Sequence, residues 1–284
     1  MFRRNRIRRV LLISLGLVMF PIAGCSSESS QTPSRPLRIL VTNDDGVSAL
    51  GIDAVVEALR NDPDNVIVVS APAVNQSGSG DTTTPAPPPL EATETTTLSG
   101  YPATAVMGYP ADSVLYALEN LYPEEAPDVV LSGINQGQNV GNLDGVLSQI
   151  SGTVGAAKTA ACSGVPALAS SQGSPKVGGD YDYEAGVVAV LAWLQANRAA
   201  LLAGEVSLEN ITSINIPSCD TGTIRGTVET VLATENPDGI SLLGPQDCES
   251  DFQDPQDDIE AFFNGFISVT PVPSNSSNTC DDLK

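Results

Sequence analysis

The stretch that decides the fold is residues 38–71, RILVTNDDGVSALGIDAVVEALRNDPDNVIVVSA. Arg38–Thr42 is a short run of mostly aliphatic residues, which predicts a buried strand. After a polar turn, apolar residues recur with helical spacing at positions 52, 55, 56 and 59, and Asn65–Ala71 is a second apolar run. A strand, a helix and another strand in this order predict a βαβ unit, in which the two strands run parallel.

The same alternation continues along the chain and predicts a doubly wound α/β fold with a mainly parallel sheet. Two stretches depart from this alternation of strands and helices. Gly78–Ser99 is rich in Thr and Pro, which favours edge strands or a loop over a central strand. Beyond Cys219 the strand signals are short and polar, so we expect a hairpin-rich C-terminal appendage with a last strand in Phe266–Thr270. The further predicted elements are helices 111–121, 152–163 and 183–203 and strands 128–132, 166–170 and 213–216.

Composition restricts the chemistry. The 284 residues include 34 acidic and 13 basic side chains and no histidine, and the formal net charge is −21. A Ser-His-Asp or Cys-His arrangement therefore cannot be built within the chain, and neither can a zinc site with histidine ligands. The acidic excess repels phosphate backbones, so we expect no binding of nucleic acid polymers. Any catalysis must use carboxylates, hydroxyls, amides or a bound cation.

The N-terminus has the order of a bacterial export signal. Residues 1–25 begin with five arginines in the first nine positions, continue with an apolar run and end in Ile-Ala-Gly-Cys, which resembles a lipobox. We therefore expect a lipoprotein signal peptide at 1–24, a lipid on Cys25, a flexible tether at 25–36 and a folded domain at 37–284. This organisation predicts an exported protein anchored by its lipid to a bacterial membrane, on the periplasmic or cell-surface side. The alternative is an uncleaved anchor helix.

Four cysteines remain in the folded part, namely Cys162, Cys219, Cys248 and Cys280. Outside the cytoplasm an even number favours disulfides, and three pairings are open. We expect Cys219 to pair with Cys248 or with Cys280. The alternative is buried free thiols, because Cys162 has the surroundings of an ordinary residue at the end of a core helix.

Polar residues cluster where the predicted strands end. In a parallel sheet the ligand site lies beyond the carboxyl ends of the strands, and Asp44 and Asp45 follow the first strand directly. Adjacent carboxylates repel each other unless a cation or a proton neutralises one. The alternative is a simple polar turn in which one Asp caps the next helix.

Three more segments add oxygen atoms or N–H groups to this edge. The glycine-rich loops 75–80 (NQSGSG) and 132–139 (SGINQGQN) follow later strands, and each alone could be an ordinary turn. Their hydroxyl and amide oxygens suit a hard divalent cation. Ser151-Gly152-Thr153 begins a predicted helix, whose free N–H groups and positive end attract phosphate.

Together these motifs carry a resemblance. ILVTNDDGVSALGIDAVVEAL, VVSAPAVNQSGSG, VVLSGINQGQN, ISGTVGAAKTA, INIP and GFISVTP, in this order, resemble the SurE survival-protein family of metal-dependent nucleotidases and acid phosphatases. The resemblance implies a Rossmann-like core and hydrolysis of nucleoside 5′-monophosphates or other phosphomonoesters with a divalent cation, Mg²⁺ or Mn²⁺. It also implies a homodimer as the assembly to test.

The resemblance assigns roles to eight positions of this chain. The implied metal ligands are Asp44, Asp45, Ser77 and Asn135. The implied phosphate site consists of Asn139, Ser151, Gly152 and Thr153, and the implied catalytic group comprises Asp44, Asp45, Asn139 and Ser151.

The chain also departs from the family pattern. Ala73 and Gln76 stand where the second loop usually carries Asp and Arg, and the loop between Asn139 and Ser151 is longer than usual. We also expect the C-terminal helix that is usual in the family to be absent after GFISVTP. Two rival functions follow from these features: a solute-binding lipoprotein that captures a phosphorylated ligand without hydrolysing it, and a surface interaction module. Outside the site, we expect Trp193 in the core and Lys158 in solvent.

Overall fold

The computed structural model describes residues 35–86, 89–142, 150–175, 179–236, 241–242, 244–276 and 279–283. The predicted signal peptide and the lipidated Cys25 lie outside the described residues, and so do nearly all of the tether and the middle of the loop between Asn139 and Ser151.

Nine strands and six helices follow one another along the described chain. The strands are β1 (Leu37–Thr42), β2 (Asn65–Pro72), β3 (Ala92–Thr96), β4 (Pro102–Val106), β5 (Val129–Gln136), β6 (Ala167–Gln172), β7 (Asn210–Ile216), β8 (Thr227–Glu229) and β9 (Ile267–Pro273). The helices are α1 (Leu50–Leu59), α2 (Pro110–Asn120), α3 (Gly152–Cys162), α4 (Tyr183–Ala203), α5 (Asp258–Phe263) and α6 (Thr279–Asp282).

All nine strands form one sheet in the order β3-β4-β2-β1-β5-β6-β7-β9-β8. The pairs from β4 to β7 are parallel, and β3 and β9 run antiparallel to β4 and β7. The predicted doubly wound α/β class is therefore confirmed. The chain leaves β1 toward β2 on one side and returns to β5 on the other, so the topological switch point lies between β1 and β5.

Helices cover both faces of the sheet because successive side chains of a strand point to opposite faces. Leu37, Ile39 and Val41 of β1 pack in one core with α1 and α4, while Leu40 packs in a second core with α2 and α3. The helix-spaced apolar residues predicted for α1 all lie in the first core: Ile52, Val55, Val56 and Leu59. This two-sided burial explains why the strands read as continuous apolar runs.

Helix α4 has the length and apolar composition of a membrane span, the one such case among the described residues. Val190, Leu194 and Leu201 bury one side of it in the first core, and Trp193 packs partly buried against the same core. The prediction of Trp193 in the core is thus confirmed, and α4 is a layer helix of the α/β fold.

The C-terminal half differs in detail from the expected hairpin-rich appendage. Strand β9 joins the main sheet beside β7, and β8 pairs parallel with β9, so these described strands extend the sheet and form no hairpin. A third hydrophobic cluster lies in the long connection between β8 and β9 and is centred on Ile259 and Phe262 of α5. The Thr- and Pro-rich stretch contributes β3 as an edge strand, as expected.

Two disulfides close the C-terminal half, Cys219–Cys248 and Cys162–Cys280. The first is one of the two pairings expected for Cys219. The free-thiol interpretation of Cys162 is wrong, because the chain after β9 turns back over the end of α3 and brings Cys280 to it. The sequence pattern around Cys162 is local and does not report this long-range contact.

Candidate active site

The turn after β1 presents two carboxylates without using either of them as a helix cap. Asn43 closes the turn, since its side-chain amide donates to the Gly46 carbonyl (2.9 Å) and its amide oxygen accepts from the Gly46 N–H (3.2 Å). Helix α1 begins after Ala49, which makes no side-chain cap hydrogen bond. The alternative of a capping Asp is therefore wrong.

Asp44 is almost fully buried, with 3% of its surface exposed. Its carboxylate accepts a hydrogen bond from the Thr153 hydroxyl at 2.6 Å, which connects the end of β1 to the start of α3. The pKa of Asp44 is raised to about 6, chiefly by burial and also by the negative charge of Asp45, while the Thr153 hydrogen bond opposes the rise. A neutralising partner would therefore stabilise this side chain.

Asp45 joins the two glycine-rich loops. Its carboxylate accepts from the Gln136 N–H at 2.8 Å and from the Asn75 side-chain amide at 3.2 Å. Burial raises the pKa of Asp45, and these two hydrogen bonds oppose the rise. The adjacent carboxylates thus hold three segments, because Asp44 contacts α3 and Asp45 contacts both loops.

The loop after β2 places two serines differently. Ser77 is exposed, and its N–H donates to the Asn75 side-chain oxygen at 2.9 Å. The hydroxyl oxygen of Ser79 is buried and has no hydrogen-bond partner in the described part of the chain. An orphaned buried oxygen at this point is consistent with a site that holds a cation or a polar ligand.

Asn135 lies within the end of β5, which continues four residues beyond its predicted end at Ser132. The register between β5 and β6 shifts between Ser132 and Asn135, and such a bulge redirects the following side chains. The side-chain amide nitrogen of Asn135 donates to the Gly137 carbonyl at 2.8 Å. Its amide oxygen is the atom left for a cation.

Asn139 is held by residues that the sequence analysis did not single out. Asn215 of β7 accepts from the Asn139 N–H (2.7 Å) and donates to the Asn139 carbonyl (3.0 Å), while the Asn139 side chain donates to the Ser171 hydroxyl (2.8 Å). In the sequence, Asn215 can be recognised as a candidate site residue because it is a polar residue between Ile214 and Ile216 at the end of an apolar strand.

The start of α3 meets the carboxylates directly. The Ser151 hydroxyl caps the helix by accepting from the Val154 N–H at 3.1 Å, and the Thr153 N–H is directed at the Asp44 carboxylate, which leaves the N–H group of Gly152 without a partner in the described chain. The Thr153 hydroxyl is committed to Asp44. Within these three residues, the backbone N–H of Gly152 is therefore the group best suited to bind an anion.

Gly152 marks the closest approach of the site segments. A Cβ atom on Gly152 would lie 2.7 Å from the Asp44 Cβ, 2.9 Å from the Ser79 hydroxyl oxygen and 3.0 Å from the Pro110 Cγ. Four segments thus meet at this point: the loop after β1, the loop after β2, and the starts of α2 and α3. Only glycine fits there without a shift of its neighbours.

Lys158 is buried, so the prediction that it faces solvent is wrong. Its ammonium group pairs with Asp81 at 3.3 Å and donates to the Ser276 carbonyl at 3.2 Å. The segment after β9 covers this face of α3 and removes Lys158 from water. Burial lowers the pKa of Lys158, and the charge of Asp81 opposes that shift.

Tyr183, also missed from the sequence, lies near Asp45. Its ring stacks with that of Tyr181 at 5.7 Å between centroids. Burial raises the pKa of Tyr183, and the negative charge of Asp45 adds to the rise. The signal available in the sequence was two tyrosines at the start of an apolar helix.

These contacts define a class of protein: a doubly wound α/β protein whose switch point holds paired carboxylates, amide and hydroxyl oxygens, and a helix start. Among the described residues, no three Asp, Glu, Cys or His side chains cluster as metal ligands. A cation at this site would therefore rely on hydroxyl and amide oxygens besides the two carboxylates. Such an oxygen-rich site suits a hard cation together with an anionic ligand.

Comparison with known proteins gives the family. The profile described as "Survival protein SurE" matches residues 39–238, and the chain belongs to this family. It is 33% identical over 255 residues to the 5′-nucleotidase SurE of Vibrio parahaemolyticus serotype O3:K6, covering 84% of this chain and 89% of the relative. It is 34% identical over 247 residues to the 5′/3′-nucleotidase SurE of Citrobacter koseri, covering 83% and 90%.

A solved structure agrees with this assignment. The SurE protein from Aquifex aeolicus superposes with a TM-score of 0.66 at 26% identity, covering 85% of this chain and 95% of that one.

Proposed function

We propose that this chain is a phosphomonoester hydrolase that acts on nucleoside monophosphates and uses a divalent cation. The observation that carries the proposal is the junction of Asp44 with the start of α3 through the 2.6 Å hydrogen bond to Thr153. It places a carboxylate pair, which suits a cation, beside a helix start that suits a phosphate. The nucleotidase names of the relatives support the substrate class.

The residues present fit a hard cation. Asp44, Asp45, Ser77 and Asn135 would hold it, and three features support that set: the raised pKa values of both carboxylates, the free amide oxygen of Asn135, and the orphaned oxygen of Ser79 nearby. When bound, Mg²⁺ or Mn²⁺ would polarise the phosphoryl group and lower the pKa of a water molecule.

The chain's own groups perform the remaining tasks. The N–H group of Gly152, at the positive end of α3, binds the phosphate and stabilises the charge that develops on it, while Thr153 joins this helix start to Asp44. Asn139 and the cap residue Ser151 complete this phosphate site. The two hydrogen bonds between the Asn215 side chain and the Asn139 backbone hold Asn139 in position.

Proton transfer falls to the carboxylate pair. The sequence contains no histidine, so Asp44 and Asp45 are the nearest groups that can accept a proton from the attacking water. Hydrolysis then releases inorganic phosphate and the nucleoside. The nucleotidase relatives give no support to a solute-binding protein or to an interaction module.

The test compares Asp45→Asn with Asp64→Asn. We expect Asp45→Asn to abolish cation-dependent release of phosphate from a nucleoside 5′-monophosphate, because it removes one negative charge from the proposed cation site. Asp64 is exposed and lies just before β2, at the amino ends of the strands and away from the proposed site. Asp64→Asn is therefore the matched control and should keep activity. Full activity of Asp45→Asn, or activity unchanged by a chelator, would contradict the proposal.

We also propose the domain division and location expected from the sequence: a signal peptide at 1–24, a lipid on Cys25, a tether at 25–36 and a hydrolase domain at 37–284, on the outer side of a bacterial membrane. The two disulfides support an oxidising compartment. Labelled palmitate should be incorporated into the wild-type chain, and Cys25→Ser should lose both the label and membrane sedimentation. The proposal extends to a homodimer, which light scattering tests.

A further inference from the structure

A cavity of about 330 Å³ opens beside the loop that follows β2, outside the residues assigned to the cation and the phosphate. Its volume falls within the range of small-molecule sites. Three separate segments supply its walls, and the lining residues are Ala73, Val74, Gln76, Thr84, Pro85, Val106, Met107, Gly108 and Tyr109.

The walls of the cavity adjoin the proposed active site at two points. The Gln76 N–H donates to the Asp44 carbonyl at 2.7 Å, so one wall is attached to the carboxylate turn. Tyr109 directly precedes Pro110, whose Cγ lies 3.0 Å from the point where a Cβ on Gly152 would stand. The cavity therefore lies next to the place where the carboxylate turn meets the start of α3.

The walls are apolar with a few polar groups at defined places. The side chains of Val74 and Met107 are 61% and 59% exposed and give the cavity an apolar surface that a ligand can cover. Tyr109 adds a half-buried ring, while the Gln76 amide and the Thr84 hydroxyl add hydrogen-bonding groups. None of the described lining residues is charged, so the occupant is a neutral and mainly apolar group.

Asp112 holds two of these walls in place. Its buried carboxylate accepts from the Thr84 N–H (2.9 Å), the Thr84 hydroxyl (2.6 Å) and the Tyr109 N–H (2.8 Å). The segment around Thr84 and the segment before α2 are thus fixed to each other. The cavity is preformed, which lowers the cost of ordering its walls when a ligand binds.

We infer that this cavity binds the base of a nucleoside monophosphate whose phosphate lies at the start of α3, with the Tyr109 ring as the stacking surface. A nucleobase is flat, neutral and ringed by hydrogen-bonding groups, which matches an apolar cavity with one aromatic ring, one amide and one hydroxyl. The inference rests on the proposed function and adds to it the part of the chain that distinguishes nucleotides from smaller phosphomonoesters.

The experiment compares adenosine 5′-monophosphate with ribose 5-phosphate, which carries the same phosphoester and no base. We expect Tyr109→Leu to raise KM for the nucleotide about tenfold, the effect of losing one base-stacking contact, and to leave kcat and all constants for ribose 5-phosphate nearly unchanged. Met107→Ser, at an exposed position that tolerates a polar residue, should raise the same KM and serves if Tyr109→Leu folds poorly.

Tyr116 provides the matched control. It lies farther along α2 outside the cavity, so Tyr116→Leu should leave the KM for both compounds unchanged. Tyr181 belongs to the stacked pair near Asp45, so Tyr181→Leu tests the competing aromatic surface. The inference is overturned if Tyr181→Leu raises the nucleotide KM while Tyr109→Leu does not, or if Tyr109→Leu weakens both compounds equally.

Binding measured by calorimetry separates this inference from the proposed function. If the wild-type chain hydrolyses neither compound, the proposed function fails. Tighter binding of the nucleotide than of ribose 5-phosphate, with the difference lost in Tyr109→Leu, would still support the cavity as the base site. Equal binding of the two compounds to the wild-type chain overturns it.

Discussion

Replacing Gly152 with alanine tests the convergence of segments at the start of α3. The added methyl group would lie 2.7 Å from the Asp44 Cβ, 2.9 Å from the Ser79 hydroxyl oxygen and 3.0 Å from the Pro110 Cγ. Carbon atoms at rest lie about 3.5–4.0 Å apart, so the two carbon contacts are too short by roughly 0.5 Å or more. The Ser79 hydroxyl can rotate away, whereas the proline ring and the Asp44 Cβ move only with their backbones.

Two opposing effects set the magnitude. Overpacking of this kind costs about 1–3 kcal/mol, and replacing glycine by alanine in a helix returns up to about 1 kcal/mol. We therefore expect the free energy of unfolding to fall by about 1–2 kcal/mol, which leaves the protein folded. Activity should fall much more, by about 100-fold, because a shift of Asp44 approaching 1 Å misplaces a reacting group.

Urea unfolding and phosphate release, measured on the same preparations, check both values. Gly164→Ala is the matched control, because Gly164 has a φ of +91° and an added Cβ there meets nothing within 4 Å. That variant should lose stability through backbone strain and keep its activity per folded molecule. The reasoning is refuted if Gly152→Ala keeps full activity, or if Gly164→Ala loses as much activity as Gly152→Ala.

Three further predictions concern stability. Lys158→Met should lower the free energy of unfolding by about 1–3 kcal/mol, because Asp81 then stays partly buried without its cation; unchanged urea unfolding would contradict this. Cys219→Ser should lower the free energy of unfolding by up to about 3.6 kcal/mol, because the disulfide to Cys248 joins residues 29 positions apart. The thermal midpoint measures this loss, and under reducing conditions the variant and the wild type should unfold at the same temperature. Burial raises the pKa of Asp258 to about 6 from 3.8, so the native state keeps a proton that the unfolded chain releases, and Asp258 alone should lower the free energy of unfolding by about 3 kcal/mol from about pH 4 to about pH 7. Asp44, whose pKa is raised to a similar value, adds a fall of similar size. Asp258→Asn should therefore about halve the slope in urea unfolding across that range, and an unaltered slope would assign it to other groups.

The first βαβ unit could be predicted because its signals are local and strong. Strand β1 differs from its predicted bounds by one residue, and the helical spacing of Ile52, Val55, Val56 and Leu59 identified the buried side of α1. Each of these elements is buried against the others, so the apolar pattern in the sequence directly reflects the burial in the structure.

The end of β5 could not be predicted from the same signal. Polar residues in Ser132–Gln136 suggested a loop, but the strand continues through a bulge and keeps its pairing with β6. Asn135 and Gln136 face the proposed site, so their polarity reflects function and conceals the strand, although Ile134 between them and Ser132 packs in the first core. Strands that lead into a site are therefore predicted too short by hydrophobic pattern alone.

Long-range contacts explain the other errors. Lys158 and Cys162 lie on α3, and each was interpreted from its neighbours along that helix. Both are buried or bonded because the segment after β9 folds back over α3, which brings Ser276 and Cys280 to them. A charged residue on a helix predicts exposure only when no later part of the chain covers that face.

The charge balance explains why the proposed site needs a cation as well as the start of α3. The chain carries a net charge of −21, and Asp44 and Asp45 add one buried and one partly buried carboxylate where a phosphate would bind, so the site without a cation repels its substrate. The start of α3 supplies only about half a positive charge. That charge can orient a phosphate but cannot offset two carboxylates, whereas a divalent cation between them can. The neutral cavity beside Gln76 and Tyr109 then needs no charge of its own, because it receives the part of the substrate that carries none.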